Sequence, residues 1–264
     1  MKPQTHTVDS VQLVLRARSE RKPLASIPPN LLPKDIASAY KLQELLVDQL
    51  LSNGHGTAIG YKVACTSKRI QDLMSVDEPF YGRLMSQSSF KDGANIPADK
   101  FFFRCMEAEF SFEIAHDLPD RAITIDELSD FIGAVLPSIE IVDSRYADWL
   151  KMEARAHIVD NACHGAWVEG KRFRDWHKID LAKQRVKLFV NGKLTREGSG
   201  EAVLGNPLNV LVWLANALHR NGKQLKAGDL VSTGITTDVY FASAGEEVSA
   251  DFGEIGQVKL SFSS

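Results

Sequence analysis

An α+β fold is predicted: a helical N-terminal segment over residues 1–56 and a β-rich body over residues 57–264, together forming one domain. Three observations carry that expectation. "DIASAYKLQELLVDQLL" (35–51) repeats its apolar residues at helical spacing. From about residue 57, short alternating or β-branched runs replace that texture. One strong helical pattern, "NPLNVLVWLANALHR" (206–220), then interrupts the strands. The N-terminal segment is too short for a core of its own, so no second domain is drawn.

The elements follow in chain order. Residues 7–52 read as helical. Within 35–51 the stripe is Ile36, Ala39, Tyr40, Leu46, Val47 and Leu50, with Asp35 as candidate N-cap. "SNGHG" (52–56) ends it with asparagine and glycine. "AIGYKVACT", "EAEFSFEIA", "PSIEIVDS", "VKLFVNGKL", "GDLVSTGI" and "IGQVKLSF" read as strands, and Asn191-Gly192 as a two-residue hairpin turn. The helix at 206–220 has Asn206 as N-cap, Pro207 in its first turn and Asn221-Gly222 as its stop.

Composition narrows the function classes. The chain has 264 residues, with 44% apolar and 25% charged, which suits a globular domain with a sizeable core. Its 31 basic and 34 acidic residues give a net charge of −3, and no basic run appears, so no nucleic acid partner is expected. Three widely spaced cysteines, Cys65, Cys105 and Cys163, make neither a disulfide framework nor a zinc site. The N-terminus lacks a secretory h-region and no apolar run is long enough to span a membrane, so a reducing cytoplasm is expected.

The chemistry is carried by acids. In "RCMEAEFSFEI" (104–114), Met106, Ala108, Phe110, Phe112 and Ile114 alternate with Glu107, Glu109, Ser111 and Glu113. Glu107 and Glu109 then stand on one strand face, roughly 7 Å apart. Such a face either meets water, the commoner case, or holds something positive. "LPSIEIVDSR" (136–145) sets a further carboxylate, Glu140, among apolar residues, where it is costly unless paired, protonated or metal-bound. Three carboxylates suit a hard cation such as Mg²⁺ or Mn²⁺.

Other candidates are less specific. Lys62 in "GYKVAC" is either a snorkelling surface lysine or a partly desolvated proton carrier. "VDNACHG" (159–165) gathers Asp160, Asn161, Cys163 and His164, and is either a plain turn or a reactive loop. "STGITT" (232–237) offers hydroxyls and backbone NH groups to a carboxylate, or closes a hairpin. "GHGTAIG" (54–60) lacks the strand–loop–helix context of a dinucleotide loop. The remaining histidines, including His157, show no spacing matched to the glutamates.

Several stretches together resemble the hydratase/decarboxylase branch of the fumarylacetoacetate hydrolase superfamily. They are "GYKVACTSKRIQDLMSVDEPFYGRL" (60–84), "EAEFSFEIAHDL" (107–118), "LPSIEIVDSRYADW" (136–149), "DNACHGAWVEG" (160–170), "VLGNPLNVLVWLANAL" (203–218) and the ending (225–262), in the family's order. That branch includes 2-keto-4-pentenoate hydratases and 4-oxalocrotonate decarboxylases. The resemblance implies a twisted mixed β-roll of the superfamily's C-terminal-domain type, preceded by a helical N-terminal segment. It implies a Mg²⁺ or Mn²⁺ site of Glu107, Glu109 and Glu140, and Lys62 as acid/base with a pKa lowered by the cation. Asp160, Asn161, Cys163, Thr233 and Phe80 would line the substrate pocket.

The implied reaction acts on an unsaturated 2-oxo acid in aromatic compound catabolism, by hydration to a 4-hydroxy-2-oxo acid or by decarboxylation. The implied assembly is a homo-oligomer, with a pathway partner enzyme as a further possibility. One departure stands out. Hydratases of the branch carry Asp in "VDxPDFG", whereas "VDEPFYG" puts Phe80 there. The decarboxylases also have an apolar residue at that position. A catalytically silent 2-oxo-acid binder or partner subunit is the alternative of another class.

Overall fold

The computed structural model describes residues 5–264. In chain order its elements are α1 (Thr5–Glu20), α2 (Ile36–Ser52), β1 (Ala58–Ala64), α3 (Lys68–Met74), β2 (Phe80–Met85), β3 (Ser89–Lys91), β4 (Ala94–Pro97), β5 (Cys105–Ile114), α4 (Ile125–Leu128) and β6 (Ile132–Val142). After these come α5 (Ala154–Val159), β7 (His164–Glu169), β8 (Arg185–Val190), β9 (Lys193–Ser199), α6 (Pro207–Arg220), β10 (Leu230–Ile235), β11 (Tyr240–Phe241), β12 (Glu247–Asp251) and β13 (Gln257–Ser263).

Local chemistry explains the helices. Asp35 caps α2 by accepting from the Ser38 amide, and Asn206 caps α6 by accepting from the Leu208 amide. The predicted stripe of α2 is buried at Ala39, Tyr40, Leu46, Val47 and Leu50, whereas Ile36 in its first turn is exposed. Helix does not run continuously through 7–52: between α1 and α2 lie Pro23, Pro28, Pro29 and Pro33, which remove amide donors and interrupt the periodicity. Asn191 and Gly192 join β8 to β9 with positive φ of 50° and 76°, the requirement of a type I′ turn.

Two sheets form the body, both mixed. The larger runs β2-β1-β10-β5-β6-β7-β3, with β11 added alongside β5; the smaller runs β4-β13-β12-β8-β9. The pairs β1–β10, β3–β7 and β4–β13 are parallel and the others antiparallel. The two sheets meet through an apolar layer in which Phe110 of β5 packs edge-on to Phe252, ring centroids 5.1 Å apart. On the outside of the large sheet α2 lies against β2 and α5. Tyr40 stacks on Tyr81 at 4.2 Å, and the Gln43 amide donates to the Tyr81 and Ile158 carbonyls. The helical N-terminal segment therefore shares the body's core. Among the described residues no helix is long and apolar enough to cross a membrane. Cys65, Cys105 and Cys163 are buried and free.

Candidate active site

Strand alternation builds the site. On β5, Met106, Ala108, Phe110 and Phe112 are buried on one face. Glu107, Glu109 and Ser111 take the other, and that face is interior too: Glu109 and Ser111 are fully buried. The antiparallel register sets Glu107 opposite Glu140 of β6, and Glu109 opposite Ser138. One oxygen from each of the three glutamates lies within 4.8 Å of the others. The glutamate pair does not sit on an open solvated face; it supplies two of the three carboxylates of an interior acidic triad.

Lys62 enters from β1. Its Nζ sits 3.1 Å from Glu140 Oε2 and donates to the Ala162 carbonyl at 2.9 Å. In the sheet order two strands, β10 and β5, separate β1 from β6. On a flat sheet those three steps would total roughly 14 Å, more than the two side chains can bridge. The contact therefore requires the curl of the large sheet. Where β10 pairs with β5 the register slips between Ser232 and Ile235, and Gly234 sits there at φ 100°. A Cβ on Gly234 would fall 1.9 Å from the Thr66 hydroxyl, so the bend needs glycine.

The Ala162 carbonyl is aimed by an unusual loop. Asn161, Ala162 and Cys163 all adopt left-handed φ, at 55°, 52° and 58°. Each such non-glycine residue costs on the order of 1 kcal/mol, so the surroundings must hold the loop in place. Asn161 does so by pairing with the Arg83 backbone in both directions, at 2.7 and 2.9 Å. Asp160 does so by accepting from Arg145 and Arg18.

Two supporting groups carried no sequence signal. His164, read as an unassigned turn residue, contacts Glu140 Oε1 through Nδ1 at 3.1 Å and Ser88 through Nε2 at 3.1 Å, and so orients that carboxylate. Beneath Glu109 a buried set of hydroxyls runs Ser138–Ser111–Ser232 at 2.7 and 3.0 Å, and Ser232 donates to Glu109 Oε2. These contacts form only when four strands align, and serine is too common in strands to announce them.

The electrostatics are uneven. Burial pushes the Glu107 carboxyl up to about 7; Lys62 offsets part of this and the charge of Glu140 adds to it. Burial together with Glu140 and Glu107 raises Glu109 well above the ordinary range. Burial also works against ionised Glu140, but Lys62 and His164 outweigh it and hold its pKa low. For Lys62, burial alone would favour the neutral amine, yet Glu140, Glu107 and Glu109 outweigh it and raise its pKa. The direction expected from sequence, a lowered lysine, relied on a cation at its side. The charges supplied by the chain itself act the other way.

Above the lysine opens a cavity of about 140 Å³. Lys62 and Glu107 lie at its floor, with Ala162, Cys163, Phe80 and Thr66 in the walls. Of the residues expected to line a pocket, Phe80 and Cys163 do so. Asp160, Asn161 and Thr233 sit one layer behind. Asp160 is held by arginines, Asn161 by the Arg83 backbone, and the Thr233 hydroxyl donates to the Phe110 carbonyl. Cys163 finds its partner not in adjacent His164 but in His157, whose Nδ1 is 3.1 Å from Sγ. Burial keeps both neutral, raising the thiol to about 12 and lowering the imidazole to about 4. A thiolate–imidazolium nucleophile is therefore not set up. Phe80 stacks on that imidazole, centroids 6.0 Å apart.

The acidic triad fits a hard divalent cation. Three carboxylates face one lysine, and buried Glu109 Oε1 has no hydrogen-bond partner. Glu140 Oε2, although near Lys62, is also outside hydrogen-bond geometry. Unsatisfied anionic oxygens converging in the interior are costly unless a cation joins them. Oxygen-only ligation selects for Mg²⁺-like ions over zinc.

Comparison with known proteins places the chain in a family. Residues 62–262 match the family model for the C-terminal domain of fumarylacetoacetate (FAA) hydrolase. The chain is 31% identical over 256 residues to the 2-keto-4-pentenoate hydratase of Paraburkholderia xenovorans LB400, covering 97% of this chain and 94% of that protein. It is 30% identical over 253 residues to the 2-hydroxyhexa-2,4-dienoate hydratase of Comamonas testosteroni, covering 95% of each. Its structure superposes on the 4-oxalocrotonate decarboxylase of Pseudomonas putida G7, complexed with magnesium and adipate, with a TM-score of 0.92 at 25% identity over 99% of both chains.

Proposed function

The chain belongs to the fumarylacetoacetate hydrolase C-terminal family, and from that premise we propose a metal-dependent lyase acting on an unsaturated 2-oxo acid. The reaction is hydration of the 2-keto-4-pentenoate type, giving a 4-hydroxy-2-oxo acid. The observation that carries this reading is the carboxylate triad, whose Glu107 shares the floor of one apolar cavity with Lys62.

Glu107, Glu109 and Glu140 would hold Mg²⁺ or Mn²⁺. The ion, when bound, supplies a Lewis acid for the adjacent carboxylate and carbonyl oxygens of a 2-oxo acid. Lys62 Nζ, steered by the Ala162 carbonyl, is the group that moves protons: it serves the ketonisation of the dienol and then the protonation at C3 as water adds at C4. His164 and Ser232 fix the carboxylates on either side. Phe80, Cys65 and Met74 keep bulk water from the cavity. The reading carries a cytoplasmic location and a homo-oligomer, the latter checked by light scattering.

Phe80 favours a second reading. The wall position where hydratases of the branch place an acid holds a buried phenyl ring stacked on His157, and loss of CO₂ needs no acid to direct water. An NMR assay of the Mg²⁺-loaded protein separates the readings, with 2-hydroxypenta-2,4-dienoate in one tube and 2-oxohex-3-enedioate in another. A hydratase forms a 4-hydroxy-2-oxo acid in the first and releases little CO₂ in the second. The converse makes it a decarboxylase. Inactivity in both tubes points to a different 2-oxo acid as substrate or to a silent 2-oxo-acid binder.

A further inference from the structure

The cavity does not end at the reacting groups. From Lys62 and Glu107 it runs outward past Ile70, Val142 and Ile235 to a rim of Leu73, Leu150 and Phe241. These rim side chains are 57%, 44% and 52% exposed. Seven large hydrophobic side chains are exposed among the described residues, and three of them meet at this one mouth. Such a concentration marks a binding surface.

Charge is confined to the floor. Lys62 is the one cationic side chain in the lining, and it is engaged by Glu140 and the Ala162 carbonyl. Nearby cations along the chain are turned to other partners: Arg69 to Asp238, and Lys151 to Asp148. The cleft of about 460 Å³ beside Arg18 and His164, which is rich in basic residues, reaches neither Lys62 nor Glu107. A substrate whose 2-oxo-acid head sits at the carboxylates therefore extends its tail along the apolar channel.

Resting on the function proposed above, we infer that the preferred substrate carries an uncharged apolar tail, alkyl or aryl, long enough to reach the rim. Leu73, Leu150 and Phe241 are its specificity-determining residues. A second carboxylate at the tail end is rejected, because the channel offers no cation to replace its hydration. A hydrophobic tail gains by leaving water, at about fourfold in affinity per buried methylene.

Isothermal titration of the full-length protein in excess Mg²⁺ tests this with saturated 2-oxo acids, which bind without being hydrated. The series is pyruvate, 2-oxobutanoate, 2-oxohexanoate and 2-oxooctanoate, with 2-oxoadipate as the dicarboxylate matched in length to 2-oxohexanoate. The expected result is a Kd that falls about fourfold per methylene, with 2-oxoadipate weaker than 2-oxohexanoate by roughly tenfold or more. Metal-dependent binding of pyruvate with no gain along the series, or 2-oxoadipate binding as tightly as 2-oxohexanoate, overturns the tail assignment and leaves the proposed function standing. Failure of every 2-oxo acid, pyruvate included, overturns both. Leu73→Lys, at an exposed position that does not threaten folding, should weaken 2-oxooctanoate and strengthen 2-oxoadipate. An unchanged order of affinities in that variant excludes the rim from the tail site.

Discussion

Two buried charge clusters flank the left-handed loop at 161–163, and they are built on opposite principles. Behind the loop, Asp160 and Asp143 meet Arg145 and Arg18, two anions against two cations. All four aspartate oxygens accept hydrogen bonds, from Arg145, Arg18 and the Phe102 and Phe103 amides. In front of it, Glu107, Glu109 and Glu140 face Lys62 alone, His164 being held neutral by burial. There two glutamate oxygens, Glu109 Oε1 and Glu140 Oε2, lack a hydrogen-bond partner. The balanced cluster leaves no carboxylate oxygen open, with Arg18 Nε its one unpartnered donor, and serves as a clamp. The unbalanced one is unfinished without a positively charged ligand, and that is where chemistry belongs.

The sharpest way to break this contrast is Lys62→Met. It should lower kcat by about 10²- to 10⁴-fold, the worth of a positioned proton carrier, while Mg²⁺ still raises the melting temperature. Retained turnover would remove Lys62 from the mechanism. Asp160→Asn strikes the clamp instead and strands two buried guanidinium groups. Urea denaturation should show a loss of about 3–5 kcal/mol, and a small loss would mean the cluster is not a clamp.

A third, smaller effect comes from His157, which lies outside both clusters. In the fold it stays neutral down to about pH 4, whereas its ordinary value is 6.5. Between those values the unfolded chain binds the extra proton, so stability is complete above pH 6.5 and falls as pH drops toward 4. The loss amounts to about 3 kcal/mol. The stability difference between the wild type and His157→Phe should therefore shift with pH across that window and be flat above it. A constant difference from pH 4 to 8 would contradict the neutral buried imidazole.

The two clusters also differ in how far they could be read ahead of the structure. Strand spacing puts Glu107 and Glu109 on one face and sequence sets Glu140 among apolar neighbours, but that pattern alone leaves water or a cation open; the family resemblance implies the metal. The capped helices α2 and α6 and the Asn191-Gly192 turn are legible from short-range pattern. The clamp is not. Arg18 reaches Asp160 across 142 residues, and nothing near either one predicts the pair. Nor is the left-handed loop legible, because none of Asn161, Ala162 and Cys163 is glycine and only tertiary contacts hold it. The family resemblance implies Asp160 and Asn161 in the pocket, and sequence does not show which side of the loop each residue faces. Thr233 follows the same logic, one residue from Ser232 yet turned to the opposite face of β10.

The central claim is that the glutamate triad holds a divalent cation. Calorimetric titration of chelator-treated protein with Mg²⁺ and Mn²⁺, for the wild type and for Glu109→Gln, measures it directly, alongside thermal melts. Removing a buried carboxylate that has no counter-charge should stabilise the metal-free protein by about 1–3 kcal/mol and abolish saturable binding. Wild type should bind about one ion per chain and melt higher with it. Equal binding in the variant, or no binding in the wild type, would contradict the account at its root.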